Sequence, residues 1–458
     1  MNKEQNLLLL QQELIKGIYA PSRSFCFISK NDKYREVFAA DFRDRVIHHF
    51  LVGYLEEIWE KVFIHDSYAC RKGKGTKAAV DRLQSFSRQV TKNQSCHAWF
   101  LQLDIRSFFP SIDRQILLDL VLSRLENEEL RKLISIVIMH DPTQNPIFTC
   151  PVSEWTKIPK DKSLFGVTKG KGLPIGNLTS QFFANVYLNP LDQFIKHVLK
   201  VQYYLRYVDD FILLHTDREK LVLWQKQIAG FLQDQLRLQL HPHRQYIRPV
   251  SNGMNFVGYI VRPSHKLVRR RVVETCKKKI GEALSTMTKE TSTISSLSFP
   301  PKQYDRLFST INSYLGYFRH ASGRSLRDSL WRKFPKLSRI FMLQNFQVSK
   351  RWILPFHAHD LYTQFSYFRS HFSGIIVFQV GCYLELLNRD AIWAQKELGL
   401  KKLRPRKGFY ARAGIHQRKR KSFFLKLAEK NVLVVAQNGK IGQNVLDRTG
   451  VCIWYDVR

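Results

Sequence analysis

The segment Tyr203 to His215 sets two adjacent carboxylates, Asp209 and Asp210, between the runs Tyr203-Tyr204-Leu205-Arg206-Tyr207-Val208 and Phe211-Ile212-Leu213-Leu214. Both flanks are aromatic, apolar or β-branched, so the spacing predicts a strand, a tight turn carrying the acids, and a return strand. Such a turn presents both carboxylates at one exposed edge. At neutral pH they repel, and either one acid has a raised pKa or a divalent cation neutralises both. A solvated Asp-Asp turn is the plain alternative. A third acid in similar surroundings upstream weighs against it.

That acid is Asp104, which closes the apolar run Trp99-Phe100-Leu101-Gln102-Leu103 and precedes Ile105-Arg106-Ser107-Phe108-Phe109-Pro110. A strand-terminal Asp beside an Asp-Asp turn makes an oxygen-rich cage suited to Mg²⁺, which keeps several waters and takes few protein carboxylates. Two-metal phosphoryl transfer needs this arrangement, with one ion activating a 3′-hydroxyl and the other stabilising a leaving pyrophosphate. The expected catalytic residues are Asp104, Asp209 and Asp210, and the expected cofactor is two Mg²⁺ ions, with Mn²⁺ as a substitute.

Together these motifs resemble the reverse transcriptases of prokaryotes, in the expected order over residues ~20 to 345. Tyr207-Val208-Asp209-Asp210 resembles the catalytic turn of that family, and Asp104 its first metal-binding Asp, with the Ile105 carbonyl also facing a metal. The resemblance implies an α+β, right-hand polymerase: fingers and a palm with an antiparallel sheet over residues 1–265, and a helical thumb over 266–345. Phe109 falls where the family places its sugar-sensing aromatic, whose ring crowds a 2′-hydroxyl and favours dNTPs; a core Phe is the other reading. Ser67-Tyr68-Ala69-Cys70-Arg71-Lys72-Gly73-Lys74-Gly75-Thr76 resembles the fingers segment that grips the triphosphate. Arg71 can fork onto phosphate oxygens while Lys72 and Lys74 add point charges, although a basic, Gly-containing loop is also an ordinary solvated loop. Arg35-Glu36 to Arg45-Val46 resembles the start of the fingers and is assigned no chemistry.

Gly170-Lys171-Gly172-Leu173-Pro174-Ile175-Gly176-Asn177-Leu178-Thr179-Ser180-Gln181 narrows the resemblance. Most reverse transcriptases carry Gln before that second-motif glycine and end the motif Ser-Pro. Ile175-Gly176-x-x-x-Ser180-Gln181 is similar to the signature of diversity-generating retroelement reverse transcriptases, which copy a template-repeat RNA with errors opposite adenine so that the cDNA replaces a variable region of a target gene. This resemblance implies dNTP contacts at Ile175, Gly176 and Gln181, and a basic, multimeric accessory protein as partner. An Ile side chain only packs where a Gln amide can hydrogen-bond, and each ~1.4 kcal/mol of lost discrimination is a tenfold loss of selectivity. Ile175 as a packing variant without consequence is the competing reading.

His241-Pro242-His243-Arg244 and Asn255-Phe256-Val257-Gly258-Tyr259 resemble the closing palm segments, and Ile311 to Phe318 the thumb. Related sequences commonly carry Lys where Arg244 stands, and a permanently charged guanidinium is a poor proton donor. Arg244 is therefore assigned to phosphate, and the general acid stays open, with His243 as one candidate.

The formal net charge of +35, from 73 Lys and Arg against 38 Asp and Glu, implies a polyanionic partner; template RNA and a growing cDNA or primer strand satisfy it. Seven scattered cysteines without a Cys-x-x-Cys pair argue against a disulfide framework or a zinc site. The apolar run Leu7 to Leu10 is too short for a signal peptide or membrane span, so a cytoplasmic protein without a membrane partner is expected. The Ser/Thr-rich stretch Ser285 to Ser298 reads as a loop inside or entering the thumb.

Residues 350–458 read as a small, basic C-terminal α/β domain. Gly374 to Leu386 looks like a strand and turn entering a helix, Asn388 to Leu398 has helical spacing, and Val432 to Gln437 reads as a later strand. This order is similar to the N-terminal mismatch-recognition domain of MutS, where Gly-x-Phe-Tyr-Glu-Leu follows a strand; Gly381, Cys382, Tyr383, Leu384, Glu385 and Leu386 stand at the matching positions. The resemblance implies a base-stacking role for Tyr383 and a base contact for Glu385, although Leu384 departs from the pattern; a core Tyr and a surface acid are the plain reading. Between Lys401 and Lys426 stand eleven Lys or Arg and no acid, including Arg418, Lys419, Arg420 and Lys421, with Phe409, Tyr410, Phe423 and Phe424 interleaved. A nucleic-acid grip is expected there, against the default of a solvated basic face.

The leading reading is an RNA-directed DNA polymerase performing mutagenic retrohoming in a diversity-generating retroelement. The alternatives are an antiphage-defence or retron-type reverse transcriptase with a dedicated noncoding RNA, and a non-catalytic RNA-binding protein resembling intron maturases.

Overall fold

The computed structural model describes residues 3–30, 34–290, 294–298, 301–350, 360–404, 406–427, 430–437 and 450–457. Contacts divide the chain into two units, Met1–Lys266 and Leu267–Arg458. The first contains strands β1 (Phe25–Lys30), β2 (Tyr34–Ala39), β3 (Trp99–Ile105), β4 (Ile147–Phe148), β5 (Tyr203–Tyr207), β6 (Asp210–His215), β7 (Leu240–Pro249), β8 (Met254–Phe256) and β9 (Tyr259–Val261). Its helices are α1 (Lys3–Ile15), α2 (Phe42–Trp59), α3 (Thr76–Val90), α4 (Phe108–Ser111), α5 (Arg114–Leu122), α6 (Glu128–Met139), α7 (Leu178–Gln193) and α8 (Arg218–Leu236).

The centre of this unit is a four-stranded antiparallel sheet in the order β5-β6-β3-β7. Its two middle strands are almost wholly apolar, and Leu101, Leu103, Phe211 and Leu213 are buried in one core with Phe182, Phe183, Tyr187 and Leu191 of α7 and Ile228 and Leu232 of α8. Helix α7 is buried nearly all round, which explains why Phe182 to Leu188 is apolar apart from Asn185 rather than an amphipathic stripe. A separate sheet, β2-β1-β4, pairs β1 antiparallel to β2 and parallel to β4.

The second unit begins with the helix Arg270–Met287, whose apolar stripe Val273, Cys276, Ile280, Leu284 and Met287 recurs at helical spacing and is buried. The helices Pro301–Arg319 and Arg324–Lys333 follow. Two expectations are corrected here. The Ser/Thr-rich stretch is not a loop throughout: Thr288–Glu290 and Ile294–Ser298 are strands, and Ile294–Ser298 pairs with Gly450–Val457 in a seven-stranded sheet. Backbone pairing to a neighbouring strand edge overrides the weak local preference of serines. Tyr383 does not lead into a helix either; Tyr383–Leu387 is the antiparallel partner of Ile375–Val380, because its buried Leu384, Leu386 and Leu387 complete a sheet core. The helix Arg389–Leu398 and the strand Val432–Gln437 form where their patterns predict them. Among the described residues, no helix is long and apolar enough to cross a membrane.

Candidate active site

Strand register brings the acids together. β3 and β6 pair so that Asp104 lies opposite Asp210, and the backbone N–H of Ile105 donates to the Asp209 carbonyl at 3.3 Å. Tyr207 pairs with Asp210 across the β5–β6 hairpin, leaving Val208 and Asp209 as its two turn residues. Val208 has φ +56°, a left-handed conformation costly for a β-branched residue, and so the surroundings must hold it.

They do so through a buried ion pair. Arg206 and Asp192 are fully excluded from solvent, joined by two bonds, Nε to Oδ1 at 2.8 Å and Nη2 to Oδ2 at 2.6 Å. Tyr204 donates its hydroxyl to the same Oδ1 at 2.6 Å. The remaining Arg206 nitrogen, Nη1, donates to the Val208 carbonyl at 3.1 Å and to Asn185 Oδ1 at 3.2 Å, and Asn185 in turn donates to the Ala69 carbonyl at 2.8 Å. Burial works against the guanidinium charge, but the adjacent Asp192 carboxylate more than offsets it and the Arg206 pKa is raised.

The three acids face a cavity of about 1030 Å³ that is also lined by Arg35, Phe109, Lys157, Lys162, Ile175, Gly176, Gln181, His241, His243 and Arg244. Burial, then the Asp104 charge, pushes the Asp209 pKa up to about 6 against the opposing fields of Arg35 and Arg244. Asp210 is pushed up to about 8, by burial first and then by Asp104 and Asp209, although a hydrogen bond from Gln102 opposes the shift. Gln102 Nε2 reaches Asp210 Oδ1 at 3.0 Å, and Arg244 Nη1 reaches Asp104 Oδ2 at 2.7 Å. Among the described residues, no three acidic, His or Cys side chains converge on one point. The donor set nevertheless fits a hard divalent cation: it is all oxygen, and its mutual repulsion, visible in the raised pKa values, is what a bound cation relieves. Arg244 therefore pairs with a carboxylate, beyond the phosphate contact its sequence position suggests.

Phe109 packs edge to face on Phe108 with ring centroids 5.4 Å apart, and its ring is partly exposed in the cavity wall. Ile175 is tied to the neighbouring sheet by the bond from Phe38 N to its carbonyl at 2.8 Å. Gly176 has φ +128°, and a Cβ there would stand 2.8 Å from the Phe38 carbonyl oxygen and from Val37, so close backbone approach explains the glycine.

The structure does not bring Arg71, Lys72 and Lys74 to the cavity; only Cys70 of that loop lines it. Arg71 is a staple instead, bidentate to Glu60 with Nη2 to Oε2 at 2.7 Å, and donating Nη1 to the Ile64 and Ser67 carbonyls at 2.7 and 2.9 Å. Lys72 pairs with Glu56 at 2.8 Å, and Lys74 donates to the His65 carbonyl at 2.9 Å. The cavity cations that sequence reasoning left without a role are Arg35, Arg106, Lys157 and Lys162. His241, in the same lining, has its pKa lowered by burial and by Arg244, with smaller contributions from His243 and Lys162.

In the second unit Tyr383 is exposed and lies edge-on to His416, with centroids 5.3 Å apart. Glu385, expected to contact a base, is buried and paired with Arg412 at 2.7 Å. Phe409, Phe423 and Phe424 are likewise buried, leaving Tyr410 as the exposed ring of that set. Arg418 and Lys419 lie on a short turn, Gln417–Lys419, and Arg420 and Lys421 begin the helix Arg420–Lys426; the Lys421 side chain lies outside the described residues.

The family model described as Reverse transcriptase (RNA-dependent DNA polymerase) matches residues 28–261. Protein YkfC of Escherichia coli is 23% identical over 303 residues, covering 58% of this chain and 72% of YkfC. Group II intron-encoded protein LtrA of Lactococcus lactis subsp. cremoris is 22% identical over 324 residues, and the match spans 57% of this chain and half the length of LtrA. Among solved structures, apo telomerase from Candida Tropicalis truncated from C-terminal domain aligns with a TM-score of 0.39 and 12% identity over 58% of this chain and 60% of that one.

Proposed function

Since the chain belongs to the reverse transcriptase family of RNA-dependent DNA polymerases, we propose that it synthesises cDNA on an RNA template in the cavity framed by Asp104, Asp209 and Asp210. The observation that carries this reading is the Asp104–Asp210 register, which sets mutually repelling carboxylates at one edge of the central sheet beside Phe109 and Ile175. Asp104, Asp209 and Asp210, with the Ile105 carbonyl, would hold Mg²⁺ there. The chemistry supplied by the bound ions is activation of the primer 3′-hydroxyl and stabilisation of the leaving pyrophosphate. Arg206 keeps the turn in place through the Val208 carbonyl, Phe109 crowds the 2′ position of the incoming sugar, and Arg244 orients Asp104 while presenting its outer nitrogens to phosphate.

Ile175-Gly176-x-x-x-Ser180-Gln181 favours a diversity-generating role, with a template-repeat RNA, a primer strand and dNTPs as substrates and a basic accessory protein as partner. Replacing hydrogen-bonding polarity by an Ile side chain beside the nascent pair lowers discrimination against wrong nucleotides. In the second unit, exposed Tyr383 with Arg418 and Lys419 offers stacking and phosphate contacts to nucleic acid. The reading sets the enzyme in the cytoplasm, where RNA and dNTPs are at hand.

The test is extension of a DNA primer annealed to RNA with Mg²⁺ and four dNTPs, sequencing the product beside Asp209→Asn. We expect synthesis by the wild type with errors concentrated opposite adenine, and none by the variant, which still binds RNA. Extension by Asp209→Asn sinks the metal assignment; accurate wild-type cDNA moves the protein to the defence class.

A further inference from the structure

Between β4 and Gly170 the chain runs as a strap of short 3-10 turns, Val152–Lys157, Lys160–Lys162 and Leu164–Gly166. It is fastened at both sides. Ser163 donates its hydroxyl to the buried carboxylate of Glu36 at 2.6 Å, and Leu164 N donates to the same group at 3.2 Å. Lys30 pairs with Glu154 at 2.5 Å, and Phe165 stacks on Phe148 with Trp155 edge-on to both. On the catalytic side, Ser107 Oγ donates to Asp161 Oδ2 at 2.9 Å, three residues beyond Asp104 and two before Phe109. These contacts tie β2 and the segment after β3 to one short piece of chain.

Held this way, the strap contributes Lys157, Pro159, Asp161 and Lys162 to the wall of the catalytic cavity. Both lysines are exposed, and neither has an ion-pair partner among the described residues; Lys157 rests over the Tyr34 ring at 5.4 Å, beside Arg35. Among the other cavity charges, Arg244 pairs with Asp104, and Glu36 and Asp161 accept hydrogen bonds from Ser163, Leu164 and Ser107, while Arg35 and Arg106 also line the wall and Asp209 and Asp210 repel each other. Two ammonium groups without an ion-pair partner among the described residues, on a braced strap, are pre-set for an anion that enters from solvent, and the cavity they line also holds Phe109, Arg244 and His241.

We propose that Lys157 and Lys162 bind the phosphates of the incoming deoxynucleoside triphosphate, an inference that rests on the polymerase reading above. They replace, as the mobile-anion contacts, the Arg71, Lys72 and Lys74 cations that the fold commits elsewhere. Because the contacts exist before and during bond formation alike, they act on nucleotide binding rather than on the chemical step.

The experiment uses the full chain and compares wild type, Lys157→Ala, Lys162→Ala, the double variant and Lys162→Arg. Single-nucleotide incorporation is followed against dTTP concentration, primer–template affinity is measured separately, and dTTP binding is measured directly on a complex whose primer ends in a dideoxynucleotide. The expected result is a rise in the dTTP KM on the order of tenfold per lysine, the size of one charge-assisted hydrogen bond, with kcat and primer–template affinity unchanged and Lys162→Arg close to wild type. An unchanged dTTP KM with weakened primer–template binding overturns the proposal in favour of a backbone grip, and no change in either makes the strap a solvated surface. If wild type incorporates nothing, the polymerase reading has failed, while the lysine contact is still decided by dTTP binding to the terminated complex.

Discussion

Arg206→Met tests the support beneath the catalytic turn. Arg206 and Asp192 have no solvent exposure, so removing the guanidinium leaves Asp192 as an uncompensated buried charge, a loss of about 3 to 5 kcal/mol in stability. Urea unfolding of the wild type and the variant reads this as a fall in midpoint. Adding Asp192→Asn removes the stranded charge while keeping an acceptor for Tyr204, and most of the stability returns. Polymerisation does not return with it, because the Val208 carbonyl, in a turn held at φ +56°, has still lost its donor. A single-variant loss below about 1 kcal/mol refutes the buried-pair argument. A double variant as active as wild type refutes the positioning role and leaves Arg206 a purely structural residue.

Two further outcomes are expected. Ile175→Gln lowers the error rate opposite adenine, because a side-chain amide again constrains the surroundings of the nascent pair; sequencing cDNA from a defined RNA checks this, and an unaltered error spectrum removes the residue's proposed role. His48 is buried and its Nδ1 has no hydrogen-bond partner among the described residues; burial, opposed by Asp44 and reinforced by His140, holds its pKa down at about 4. A histidine whose folded pKa lies below its unfolded value stabilises the fold fully above pH ~6.5 and loses that contribution as pH falls towards 4, here about 3 kcal/mol. Unfolding midpoints across that window show a slope that His48→Leu flattens, and an equal slope in both proteins contradicts the assignment.

Much of the central sheet was legible because its determinants are local. The apolar runs on either side of Asp209-Asp210 specify a hairpin by composition alone, and Trp99 to Ile105 specifies a strand that ends at an acid. Other residues take the place that a distant partner gives them. Arg71 looks like a phosphate ligand in a Gly-rich loop, but Glu60, one helix end away, and two carbonyls capture it. Glu385 sits where the MutS resemblance places a base contact, but Arg412, on the adjacent strand, neutralises it. Phe423 and Phe424 interleave with lysines along the chain, yet helical geometry turns both rings into the core. Lys157 and Lys162 carried no recognisable motif; the available signal was a basic stretch punctuated by Pro151 and Pro159 just before a glycine-rich segment.

What separates the acids of the cavity turn from the structural ones in this protein is the number of donors each receives. Asp192 is entirely buried and accepts three hydrogen bonds, one from Tyr204 and two from Arg206, so its charge is answered within the fold. Asp66 is also buried, and although burial raises its pKa, the bonds from Arg82, His65 and Tyr68 prevail and the pKa ends lower than usual. Asp210 receives one side-chain bond, from Gln102, and faces two further carboxylates; its pKa is pushed up to about 8. A fold able to surround Asp192 with donors has no packing reason to leave Asp210 and Asp209 short of them. Unanswered negative charge in a cleft costs stability, and it is kept where a cationic ligand or a reacting group supplies the missing partner. The same reasoning runs with the opposite sign for the strap: Lys157 and Lys162 are unanswered cations in the same cavity, so one site holds separate deficits of positive and negative charge. A metal-bound nucleoside triphosphate carries both charges in one ligand, and it therefore satisfies both walls of the cavity at once.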